Sequence, residues 1–163
     1  MLKPKFSLPI KGAPFVVLIS FIYSLASTII LPIFPIFIKN LVKNPAYAGY
    51  FMSLVYFLIL VYILLSTYFL NNFDKYKLLK FSMLGSVITF VLLSFVNSAK
   101  QLIILEVFRT LFIAINFVVM GLLIRDTSTK KTISSNEGYY FAIINISFFI
   151  GPIIGGLLAD AYS

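Results

Sequence analysis

Glu106 and Arg109 are the two charges in the otherwise uncharged apolar stretch 101–124. On a helix, residues three apart share a face about one turn from each other, and Thr110 and Asn116 project to the same side. The rest of that surface is Ile, Leu, Val and Phe. At about 1.5 Å of rise per residue, Arg109 lies on the order of 12 Å inside the nearer end of the stretch. If the stretch spans a membrane, a charge at that depth costs at least about 2.5 kcal/mol unless it is paired or hydrated, so it must face the protein interior. Two readings are open. The pair either neutralises itself and ties helices together, or it lines a path for a solute or a proton. In the second reading Glu106 is the only deep carboxylate and therefore the proton carrier. The chain has no Cys and no His, which removes disulfides, thiol chemistry, the usual zinc ligands and any Ser-His or Cys-His catalytic pair. Neither an enzyme nor a cofactor nor a metal is expected.

The elements that must hold these residues follow from the composition, 61% hydrophobic with 11% charged. That is far from the average of soluble domains. Residues 12–38, 44–73, 81–99 and 138–159 contain no Asp, Glu, Lys or Arg, and each exceeds or approaches the roughly 20 apolar residues needed to cross hydrocarbon. With the stretch carrying Glu106 and Arg109, this predicts an all-α polytopic transmembrane bundle of five helices in the lipid bilayer, at about 14–38, 46–70, 79–97, 101–124 and 138–160. Residues 1–13, with Pro4, Pro9 and three lysines, are expected to form an irregular cytoplasmic lead before the transmembrane domain, 14–163. A basic start followed by an apolar run also describes a signal peptide, but the run is too long and no small-x-small site closes it.

The net charge of +8 is distributed by loop. Lys3, Lys5, Lys11, Lys75, Lys77, Lys80, Arg125, Lys130 and Lys131 fall on one side of the predicted spans, against Lys39, Lys43 and Lys100 on the other. Such a bias places the N-terminus in the cytoplasm and, after five crossings, the C-terminus outside. The charge is thereby explained as topology, and no nucleic-acid partner is expected.

The fifth span carries Ser147, Gly151, Gly155 and Ala159 at four-residue spacing. Lipid tails are as apolar as Leu, so helices associate in a membrane by close approach, which small residues on one face permit. Pro152 has no N–H to give the carbonyl of Phe148, and a bend is expected there. The face is either plain packing or part of a moving contact, with Gly156 completing the run Gly-Pro-x-x-Gly-Gly. The first span has Ser20, Tyr23, Ser24 and Ser27 along one side. This stripe either bonds to backbone carbonyls and neighbouring helices or lines a water-filled cavity, which would put Ser24 on the transport path. Pro32 and Pro35 are expected to loosen the outer third of that span. Ser82, Gly85, Ser86 and Thr89 form a packing side on the third.

These pieces together resemble the N-terminal half of a major facilitator superfamily transporter over nearly the whole chain. Gly151-Pro152-Ile153-Ile154-Gly155-Gly156, with Ser147 ahead of it, is similar to the fifth-helix signature of the family's proton-coupled drug antiporters. Asp74-Lys75 after the second span, with Gly85 further on, is similar to the family's cytoplasmic loop motif. Arg109 is placed like the arginine of its fourth-helix motif, and the Pro-x-x-Pro of the first span and Glu137-Gly138 before the fifth also fit. The chain departs from the pattern at Leu70, Lys77 and Ile113, where the family has glycines.

The resemblance implies a secondary transporter of an unidentified small solute, working by alternating access and coupled to protons by antiport. Glu106, Arg109, Asn116 and Ser24 are expected on the substrate or proton path. Ser147, Gly151, Pro152, Gly155 and Gly156 are expected at the helix interface, with Asp74 and Lys75 in the loop contact. The family has two six-helix halves, so the chain is expected to be a partial or truncated one whose C-terminal half is a missing partner. The alternative is a small non-transporting membrane protein or helix-packing accessory subunit.

Overall fold

The computed structural model describes residues 12–42 and 45–162, so all but the end of the expected cytoplasmic lead lies outside the described residues. Those residues form six α-helices and no strand: α1 (Ala13–Ile29), α2 (Ile33–Val42), α3 (Pro45–Asn72), α4 (Lys75–Leu93), α5 (Ala99–Asp126) and α6 (Ile133–Tyr162). They supply five helical spans long and apolar enough to cross a membrane, α1 and α2 together making the first, Ala13–Leu41. The protein is an integral membrane protein of all-α, polytopic build.

Local chemistry explains the boundaries. Gly12, with φ of +91°, turns the chain through a conformation other residues avoid, and Pro14 sits in the first turn of α1, where a missing N–H is harmless. The first span breaks at Ile30–Pro32, where Pro32 cannot donate into the preceding turn; Leu31 N–H instead reaches the carbonyl of Thr28 at 3.1 Å. Pro35 falls in the first turn of α2 and is accommodated there. Asp74 caps α4, its carboxylate accepting from the backbone N–H of Tyr76 at 2.9 Å and of Lys77 at 3.2 Å. The helix therefore starts ahead of its apolar part. In the same way α6 begins with the polar run Ile133-Ser134-Ser135-Asn136-Glu137 and continues unbroken through Pro152.

The chain divides into two compact units, one made of the described residues up to Pro32 with those from Gly121 onward, the other of Ile33–Met120. In the first, α1 packs along α6. In the second, α2 packs on α3, with Phe34 and Phe51 rings 6.1 Å apart. Here α4 meets α5 through the Phe81 and Phe112 rings at 5.4 Å, and Gly85 lies under Phe112, where an added Cβ would sit 2.5 Å from the ring.

Candidate functional site

Most of the buried polar side chains of the second unit come from two helices. From α4 come Ser82, Ser86 and Thr89, and from α5 come Glu106, Thr110 and Asn116, all buried. Hydroxyls on apolar helices satisfy themselves by bonding back to the preceding turn. Ser82 donates to the carbonyl of Leu79 at 3.0 Å, Thr89 to that of Ser86 at 2.9 Å, and Thr110 to that of Glu106 at 2.6 Å. Asn116 Nδ2 approaches Ser82 Oγ at 3.5 Å, a long contact across the two helices.

Glu106 and Arg109 form a two-point ion pair. Arg109 Nε donates to Glu106 Oε1 at 2.5 Å and Nη2 to Oε2 at 2.8 Å, so both carboxylate oxygens are engaged by one planar fork. The pair is asymmetric in burial: the Glu106 side chain is 2% exposed and the Arg109 side chain 12%. Two aromatic rings complete the surroundings of the guanidinium. Its Cζ lies 5.2 Å from the centroid of Phe34 on α2 and 6.0 Å from that of Phe90 on α4, within the range of cation–π attraction. The result is a box of one carboxylate and two ring faces, filled by the protein's own guanidinium. Composition points to neither Phe34 nor Phe90, because an aromatic in a membrane helix ordinarily faces lipid or packs.

In the first unit the small residues of α6 meet α1. A Cβ at Gly151 would overlap the Thr28 hydroxyl, and one at Gly155 would overlap the carbonyl oxygen of Ile29 and lie 3.0 Å from the Pro32 ring. Thr28 Oγ1 shares its hydrogen between the carbonyls of Ser147 at 2.9 Å and Leu25 at 3.1 Å, and Ser147 Oγ lies 3.4 Å from the carbonyl of Phe21. Thr28 therefore seats α6, and its signal in the sequence is its place on the four-residue row Ser20, Ser24, Thr28. Gly156 is off this contact, with nothing within 4 Å of an added Cβ, and Pro152 and Ser24 are partly exposed. In the stripe around Ser24, Ser20 and Ser27 bond to the carbonyls of Val16 and Tyr23 on their own helix.

Among the charged groups at the loops, Asp74, Arg125 and Glu137 are engaged locally. Asp74 serves the start of α4 as described, and Lys75 is the first residue of that helix. Arg125 Nε bonds Glu137 Oε1 at 2.5 Å across the α5–α6 connection, where Asn136 Nδ2 also donates to Ser128 Oγ at 2.8 Å. No group of His, Cys, Asp and Glu among the described residues could hold a metal ion.

The sequence profile described as the Major Facilitator Superfamily matches residues 16–163. The chain is also similar to an uncharacterised transporter of that type from Methanocaldococcus jannaschii, 33% identical over 69 residues, or 42% of this chain. That alignment covers 18% of the relative's length. No solved structure matches the chain significantly.

Proposed function

The chain belongs to the major facilitator superfamily, a family of membrane transporters, and on that premise we propose that it is the N-terminal part of a secondary transporter that exchanges a small solute for a proton. The observation that carries this reading is the Glu106–Arg109 pair, because ionisable groups kept inside a membrane bundle ordinarily mark a solute or proton pathway. Glu106 has two states in this scheme. Ionised, it holds Arg109 through both oxygens; protonated, it no longer neutralises the guanidinium, which is then free to engage another acceptor. Asn116 on the same helix and Ser24 on α1 belong to the path. Thr28, Ser147, Gly151 and Gly155 form the close contact that lets α1 and α6 act together, and Asp74 and Lys75 belong to the cytoplasmic gate. The N-terminus is cytoplasmic and the C-terminus external. Alternating access rocks one half of such a transporter against the other around a midplane site, so a C-terminal half is the partner this reading requires.

Transport by reconstituted protein tests it. Liposomes holding the 163-residue chain alone, with a proton gradient and a panel of dyes, sugars and amino acids, are expected to show no flux above empty vesicles. The chain joined to a C-terminal half is expected to show gradient-dependent flux that Glu106→Gln abolishes. Proton-driven flux retained in that variant would reduce the pair to a structural role. Flux from the short chain alone would make it a transporter in its own right.

A further inference from the structure

Resting on that transport reading, we propose that the solute is an organic cation of guanidinium type, and that it binds by taking the place of the Arg109 guanidinium against Glu106, Phe34 and Phe90. Ring faces carry the negative side of the aromatic quadrupole, so Phe34 and Phe90, 5.2 and 6.0 Å from the guanidinium carbon, favour a cation between them and disfavour an anion. Glu106 offers two oxygens in the plane that a forked N–H donor needs. An anionic solute has far less to bind. The hydroxyls of Ser82, Thr89 and Thr110 already donate to backbone carbonyls, and Glu106 itself already neutralises Arg109. A cation thus finds a complete set of acceptors, shaped by the side chain that now fills it.

The burial asymmetry gives the direction of exchange. The carboxylate is closed in and the guanidinium has the exposed edge, so a solute reaches the box from the Arg109 side and Arg109 withdraws toward that side. Glu106 then has three alternative claimants, a proton, Arg109 and the solute, of which it holds one at a time. Arg109 acts as a tethered competitor that keeps the buried carboxylate neutralised when no solute is bound.

Chemical replacement of the guanidinium tests this with phenylguanidinium as the cationic probe and benzoate as the anionic one. Binding is measured by calorimetry and by thermal shift on the purified full chain in nanodiscs. Phenylguanidinium is expected to bind Arg109→Met about tenfold more tightly than the unaltered chain and to restore the thermal stability that the substitution removes, since the competitor is gone and the carboxylate is left unpaired. Adding Phe90→Leu should weaken that binding, and Glu106→Gln should abolish it. If Arg109→Met does not fold, Arg109→Lys serves, because a lysine makes no fork and phenylguanidinium should again bind more tightly than to the unaltered chain. Stabilisation by benzoate that Arg109→Met removes, without any effect of phenylguanidinium, would overturn the cation assignment and leave the transport reading standing. Failure of both probes on every variant would overturn it too, with the flux experiment deciding the transport reading separately. Tighter phenylguanidinium binding that survives Glu106→Gln would place the probe elsewhere and equally refute the proposal.

Discussion

At the scale of single residues, the ion pair sets the largest energies. Removing one partner of a buried pair leaves an uncompensated charge and costs roughly 3–5 kcal/mol, whereas replacing both by uncharged groups is often close to neutral. Glu106→Gln is therefore expected to lower stability by an amount of that order, and Glu106→Gln with Arg109→Met to recover much of it. Denaturant titration of the purified chain in mixed micelles, run as a double-mutant cycle, checks this; a double variant no more stable than the single one would contradict it. Asp74 makes a smaller contribution. Its carboxylate accepts from two backbone N–H groups at the start of α4, so Asp74→Ala is expected to cost about 1 kcal/mol and Asp74→Asn much less. The same titration, comparing the two variants, measures the difference.

Between helices, the decisive quantity is what a new Cβ meets. At Gly155 it meets a backbone carbonyl and the Pro32 ring, at Gly85 the far end of the Phe112 side chain, and at Gly156 nothing within 4 Å. A ring tip can swing aside and a carbonyl cannot, so Gly155→Ala is expected to destabilise most, Gly85→Ala less and Gly156→Ala by no measurable amount. Thermal unfolding in membranes ranks the three, and an equal loss at Gly155 and Gly156 would mean that α1 and α6 do not touch along this row. The small-residue row was legible in the sequence because its four-residue period is a property of one helix. Its partner was not: nothing in the stretch 147–159 specifies that Thr28, more than a hundred positions away, supplies the opposing hydroxyl. Pro32 announced the break in the first span for the same local reason. Phe34 and Phe90 could not be read as neighbours of Arg109, since which side of an aromatic-rich helix turns inward is decided by packing across helices. The early starts of α4 and α6 also escaped a reading based on charge-free windows, because helices continue past the hydrocarbon into polar sequence.

For the whole molecule, the distribution of lysines predicts the arrangement across the membrane. Reporter fusions after Lys77 and after Lys131 should both read cytoplasmic, and a fusion after Lys100 should read external. Any exchange among the three would be incompatible with five crossings in this orientation. Five spans were recoverable from the sequence because the length of an apolar run is a local property that the bilayer itself measures.

The three-residue separation of Glu106 and Arg109 also bears on how the protein is made. A salt bridge between distant helices forms only after both have reached their places, and until then each lone charge opposes partition into lipid by roughly 2.5–3.5 kcal/mol at the centre of a span. Here both partners lie within one turn of α5, so the helix is expected to neutralise itself on entering lipid with no neighbour required. Biogenesis of this span is then expected not to wait on folding of the bundle, and the residues that make it costly to embed are the ones that reduce that cost.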